Sequence, residues 1–246
     1  LLNIPDRPSV NLTVRADGTL DDVTTDINID TDGQERLAGQ VQVVTQGDAG
    51  NPDRRIIADI GGDITAVIVP QYRDFFGPDV RLTADALIEA GGGIAVDAFD
   101  LDAAAVDLSG RVRLSEEKWP SFIDIEGTVA QPGEGAVLLP GAGGATVQHL
   151  LLNVDYDVEN GDAYNAVFNV KGLKTDQAEV AQTILRSTGT LTGALGNIGQ
   201  LLGTLNFSAQ GVALADAALS EALGTEINGT TEINFVEDQP LRITNL

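Results

Sequence analysis

The chain has 246 residues, 43% of them hydrophobic, and 37 acidic side chains against 14 Lys and Arg give a formal net charge of -23. That hydrophobic share belongs to a folded protein and not to a disordered one. The acidity argues against nucleic acid as a partner, because every phosphate contact needs a cation, and against docking on anionic headgroups. Aromatic residues supply only 4%, with Trp119 the single tryptophan, so the apolar surface is built from Val, Ile, Leu and Ala. Cysteine is absent, which removes disulfides, thiol nucleophiles and Cys-metal sites together. That absence fits an oxidising compartment, although many cytosolic proteins also lack cysteine. With no methionine to initiate it, and a pattern already running at Leu1, the chain reads as a segment of a longer polypeptide. No signal peptide and no run of about 18 apolar residues is visible, so a membrane anchor is expected outside it.

Along the chain one pattern recurs: a run alternating apolar and polar residues, then a turn containing Gly or Asp. The clearest copy is Val106–Leu114, where Val106, Leu108, Val112 and Leu114 point one way and Asp107, Ser109, Arg111 and Arg113 the other. Period two puts successive side chains on opposite faces of a pleated strand. Strands are expected first at Val10–Arg15, Val23–Ile29, Leu37–Val44, Ile56–Ile60 and Ile64–Val69. The next five are Val80–Ile88, Ile94–Ala98, Val106–Leu114, Phe122–Val129 and Ala136–Leu139. The last are Val147–Val158, Asn165–Val170, Leu205–Val212, Glu226–Val236 and Leu241–Leu246. Turns fall at Ala16-Asp17-Gly18, Thr31-Asp32-Gly33, Gln131-Pro132-Gly133 and Glu159-Asn160-Gly161-Asp162, where glycine takes positive φ without strain. Two stretches carry helical spacing instead. They are Asp176–Ser187, with Val180, Ile184 and Leu185 on one face, and Ala213–Leu223, which ends at Gly224. Gly189–Gly203 reads equally as strand, loop or cover. The expectation is a mainly β fold: one elongated antiparallel sheet with one or two short helices and a continuous apolar face, a single unit over residues 1–246.

Residues that carry chemistry are sparse. His149 is the only histidine and sits among leucines, so it reads as structural. The acids concentrate at turns and polar strand faces, where they solvate a long sheet and resist aggregation. Gly141–Thr146 lacks the Lys of a phosphate loop. In the run from Asp26 to Gly33, the residues Asn28, Asp30 and Asp32 imitate the first ligands of a calcium loop. The position that needs a bidentate Glu is Gly39, so a solvated strand and turn is the better reading. Asn11, Asn206 and Asn228 open sequons of a kind that chance supplies. No catalytic residue, metal site or cofactor is expected.

Five phrases resemble one family: Val69-Pro70-Gln71-Tyr72-Arg73-Asp74-Phe75-Phe76-Gly77, the Leu-Ser-Gly-x-Val-x-Leu strand at 108–114, Trp119–Gly127, Val137–Gly141, and Ala217–Leu246 with its Glu-Ala-Leu-Gly and Gln-Pro-Leu-Arg-Ile pattern. Together, over much of residues 60–246, they resemble the middle region of the TamB family, the inner-membrane-anchored subunit of the translocation and assembly module of diderm bacteria. The resemblance implies a β-taco, a long sheet folded lengthwise so that its apolar face lines an open groove. It also implies a periplasmic location, a TamA-type outer-membrane barrel as partner, and a part in phospholipid movement or outer-membrane protein assembly. It carries over no catalytic residue.

A groove of this kind has its own physics. Burying acyl chain gains roughly 0.8 kcal/mol per CH₂ and needs only an unbroken dry stripe. A tail about 20 Å long spans about four strands, and a shift by one strand exchanges equivalent contacts. The candidate groove residues are Val106, Leu108, Val112, Leu114, Ile123, Ile125, Val129, Phe168, Val170, Leu205 and Phe207; the same residues would also fill a closed barrel or sandwich core. The leading expectation is a periplasmic bridge that conducts phospholipid acyl chains. A scaffold or chaperone that receives outer-membrane proteins along its strand edges is the alternative, and an adhesin with a closed core comes third.

Overall fold

The computed structural model describes residues 9–48, 50–131, 133, 135–196 and 198–244. The alternation forms strands β1 (Val10–Gly18), β2 (Asp22–Thr31), β3 (Gln34–Gln46), β4 (Asp53–Gly62), β5 (Val80–Ile88), β6 (Ile94–Ala103), β7 (Val106–Leu114) and β8 (Pro120–Ala130). Two-residue strands β9 (Val137–Leu138) and β10 (Thr146–Val147) precede β11 (His149–Asp157), β12 (Ala163–Lys174), β13 (Ala178–Thr192), β14 (Gln200–Leu214), β15 (Glu226–Val236) and β16 (Arg242–Thr244). Helices are short: α1 (Arg73–Phe76), preceded by a 3₁₀ turn at Pro70–Tyr72, and α2 (Ala217–Leu223).

All 16 strands belong to one antiparallel sheet whose order follows the chain, with β8 pairing β11, and with β9 and β10 as a side branch off β12. The sheet does not close into a barrel, so β1 and β16 end it. Fourteen strands in the main path give a length of roughly 60 Å at the usual spacing. Antiparallel order puts alternate connections on opposite rims. One rim carries 32–33, 63–79, 104–105, 131–148, 175–177 and 215–225; the other carries 19–21, 47–52, 89–93, 115–119, 158–162, 193–199 and 237–241. The first rim therefore holds the long connections.

Local chemistry explains the turns. Between β2 and β3 only Asp32 (φ 52) and Gly33 (φ 76) connect the paired Thr31 and Gln34, a two-residue turn whose left-handed backbone suits the sheet twist. Arginine–aspartate pairs link neighbouring strands on the polar face, among them Arg81–Asp59 at 2.9 Å and Arg113–Asp97 at 3.7 Å, together with Arg55–Asp85 and Arg111–Asp124. Gln40 and Gln42 of β3 likewise donate to Asp26 and Asp22 of β2, each at 2.8 Å. Some of the acids are thus held against cations and amides along the wet face.

Four expectations need correction. Ile64–Val69 is not a strand: Asp63 Oδ1 accepts from the Thr65 amide at 2.9 Å and from its hydroxyl, an Asx turn that stops the sheet before Pro70. Asp176–Ser187 is not a helix but most of β13, paired on both sides. Its groove-facing positions include Thr183, Ser187 and Gly189, so the alternation that marks a strand is lost, and two-sided pairing outweighs weak helical spacing. The second helix starts later than expected. Asp216 Oδ1 caps the amides of Ala218 and Leu219 at 2.9 and 3.0 Å, and Ala213 and Leu214 remain in β14. Val137–Leu138 pairs with Thr146–Val147 and not with the main path. Of the expected turns, Pro132 lies outside the described residues, as does the end of Leu241–Leu246.

Candidate functional site

The register joins the apolar positions into rows that cross the sheet. One row runs Val14, Ile27, Gly39, Ile60, Leu82, Leu101, Leu108, Gly127, Leu152, Phe168, Leu185, Phe207 and Gly229, each directly opposite the next. A second runs from Ala16 through Val41, Phe99, Ile125 and Val154 to Leu205 and Thr231. A third runs from Gly18 through Val43, Val96, Val112, Ile123, Tyr156 and Tyr164 to Ile233 and Ile243. Directly opposed residues in an antiparallel pair share a face. Register irregularities at Asp85/Ala86 and between Val96 and Phe99 keep it continuous: β6 shows Val96 and then Phe99 to the same side. None of the three rows contains Asp, Glu, Lys or Arg, in a chain with 51 such residues (37 + 14).

All eleven candidate residues lie on this face. Leu108, Phe168 and Phe207 belong to the first row, Ile125 and Leu205 to the second, and Val112 and Ile123 to the third; Leu114 opposes Pro120 beyond it. Val106, Val129 and Val170 form a flanking row at the first rim, linked through Leu150. The last three do not face open space. Phe75 of α1, Val137 of β9 and Val147 of β10 pack onto them in a buried cluster that also takes in Val80, Ala103 and Ala105. The connections 63–79 and 131–148 therefore fold over the face as a cover.

A second cluster sits at the opposite rim, where Tyr156, Tyr164 and Leu191 are buried with Trp119, Ile123, Val158 and Leu201 against them. Both tyrosine hydroxyls are satisfied within the sheet. The Tyr156 hydroxyl donates to the Leu191 carbonyl at 2.8 Å, and the Tyr164 hydroxyl bonds Ser187 Oγ at 2.8 Å. Burial, helped by the charges of Asp162 and Asp157, pushes the Tyr156 phenol above its ordinary pKa, so it stays a neutral donor. Between the two clusters Leu108, Ile125, Phe168, Leu205 and Phe207 remain only half-buried. The floor is accessible and the shoulders are filled.

The face offers contact area and no reactive group. Among the described residues no cluster of His, Cys, Asp or Glu is placed to hold a metal. Asn28 and Asp30 spend their side chains on Glu35 and Asn11, and Asp32 accepts from the Ser9 amide at 3.3 Å. Among the described residues no helix is long and apolar enough to cross a membrane. No family model, curated protein or solved structure matches the chain.

Sequence reading left out the N-terminal half of the rows, Val14 to Leu82 in the first of them, although Val and Ile alternate there as plainly as in β7. It also left out Leu101, Leu152 and Leu185, and it gave Trp119 no partner. The strand pattern signals the first group together with Leu101 and Leu152, but not Leu185, because β13 has lost its alternation. The position of Trp119 depends on where the chain brings distant glycines, for which the sequence has no local sign.

Proposed function

We propose that the apolar face binds phospholipid acyl chains and lets them pass along the sheet. One observation carries this reading: three charge-free rows cross 13 or more strands without a break. A hydrocarbon tail about 20 Å long covers about four strands, so a sheet of this length offers several equivalent seats. Each buried CH₂ contributes roughly 0.8 kcal/mol wherever it lies, so neighbouring seats differ little in energy. Headgroups stay in water above the floor, and no catalysis is needed. The resemblance to the TamB family agrees with this reading and extends it. The groove would be part of a periplasmic bridge, anchored in the inner membrane through another segment and meeting a TamA-type barrel through other parts of the chain.

A second reading has its own observation. All nine residues of β1 are exposed, and β16 covers only Glu232–Asn234 of β15. Among the described residues both sheet edges present free backbone groups to an incoming strand, as a scaffold for outer-membrane proteins requires.

Native mass spectrometry with lipid extraction, on protein purified without detergent, separates the two. The lipid reading expects co-purified phospholipid near stoichiometric amounts, and expects Ile125→Glu to remove it from a protein that still folds, because a lone carboxylate interrupts the stripe. A lipid-free mass that stays unchanged after incubation with phospholipid defeats it.

A further inference from the structure

Trp119 stands at the entry to β8 and packs against the second-rim cluster, yet the glycines and the ring that seat it lie in the β13–β14 connection and on β15. Four sheet steps, through β11, β12 and β13, separate β8 from β14, about 19 Å of flat sheet. A Cβ placed on Gly199 falls 1.8 Å from the Trp119 ring, and one on Gly193 falls 2.7 Å away. The indole also meets Phe235 of β15, with centroids 6.2 Å apart and planes inclined at 36°. Only a strongly curled sheet brings these groups together, and the aromatic contact joins the two arms of that curl directly.

The seat is fixed from below. The Glu237 amide donates to the Gly199 carbonyl at 2.8 Å, and the Gly199 amide donates to the Glu237 carboxylate at 3.3 Å. Gly199 is not in the left-handed region, so its backbone makes no demand for glycine; the ring does. The two flanking apolar residues, Leu195 and Ile198, stay exposed, so the ring and not the turn fills the space over Leu191 and Leu201.

We propose that Trp119 is a latch: seated against Gly199 and Gly193 it holds the apolar face curled, and its release widens the groove and speeds acyl-chain exchange. The latch rests on the acyl-chain reading of the groove. It gives that groove a control point at the second rim, opposite the cover made by α1 and β9–β10.

Gly199→Ala in the whole chain tests it, because the added methyl evicts the ring without straining the backbone. As the only tryptophan, Trp119 reports its own position by emission wavelength and acrylamide quenching. The chain is loaded with pyrene-labelled palmitoyl-oleoyl phosphatidylethanolamine and chased with phosphatidylcholine vesicles. The expected result is red-shifted, more quenchable emission together with lipid release about tenfold faster than from the unsubstituted protein, since changes of this kind appear mainly in off-rates. An evicted ring with unchanged release overturns the latch, as does a ring that stays seated. If Gly199→Ala does not fold, Trp119→Leu goes through the same chase, and unchanged release again overturns it. Failure of the unsubstituted protein to load lipid is a different result, which removes the acyl-chain reading and the latch with it.

Discussion

Strands β1–β4 and strands β5–β12 present the same face with the same aliphatic alternation, and they differ in what lies above it. Val10, Leu12 and Val14 are 54%, 63% and 56% exposed, whereas Val106, Val129 and Val170 are 9%, 6% and 8% exposed. Strand composition does not explain this, since all six are Val or Leu in regular antiparallel pairing. The connections do. Those within β1–β4 are short, and their described residues contribute no apolar side chain over the face. Those at 63–79 and 131–148 are long, and they return Phe75, Val137 and Val147 onto it. Connection length, together with the edge position of β1, decides where this face is open.

The sharpest way to break that comparison is to put one charge under the cover and the same charge outside it. Val147 is 1% exposed in the middle of the first-rim cluster, so Val147→Asp leaves a carboxylate buried without a partner and costs about 4 kcal/mol. For a chain of this size that is a fall in melting temperature of roughly 8–16 °C. Leu12→Asp on β1 has water on the same face and is expected to change stability by no more than about 0.5 kcal/mol. Differential scanning calorimetry on the two variants decides it. Equal losses mean that the N-terminal face is covered in solution and that the contrast is false.

The same contrast shows what was legible in the sequence. The path of the sheet was readable because Val and Ile alternate with Asp, Thr and Gln in β2–β4 and β7, and because turns such as Asp32-Gly33 are local. The placement of all eleven candidates on one face follows from that alternation, which fixes sidedness without fixing contacts. What covers the face was not readable. Val137 and Val147 look like any other strand residues, and only the pairing of β9 with β10 off the main path turns them into a lid. Strand β13 failed for the opposite reason. Thr183 and Ser187 face the groove, where Ser187 bonds the Tyr164 hydroxyl, so a polar residue stands where the pattern asks for an apolar one.

A smaller effect separates the two rims within the centre. Tyr156→Phe deletes the donor to the Leu191 carbonyl in the second-rim cluster while keeping the ring. A buried acceptor left alone costs about 1 kcal/mol, or roughly 2–4 °C in melting temperature. The first-rim cluster does not share this bond, so hydrogen exchange should quicken at Ala163–Gly189 and stay unchanged at Val137 and Val147. Equal quickening at both rims would make the two clusters one cooperative unit and void the distinction.

The smallest effect lies at the boundary between the open and covered regions. Asp63 opens the 63–79 connection and meets Arg36 of β3 at 3.1 Å, while Arg36 also donates to the buried Thr31 hydroxyl at 2.7 Å. Burial raises the Asp63 pKa, but bonds from the Thr65 hydroxyl and amide, with the charge and bond of Arg36, outweigh it and hold the carboxyl below its usual value. A carboxyl with a folded-state pKa below the unfolded one stabilises the fold above the unfolded value, near 4, and loses that contribution as pH falls through the folded value. Both partners are partly exposed, so the contribution is under about 1 kcal/mol. Urea midpoints for the unsubstituted protein and Asp63→Asn should differ at pH 5 and converge as pH falls toward 2. A difference that persists unchanged to pH 2 would mean that the Asn substitution acts through packing, and that the open and covered regions are not joined by this charge.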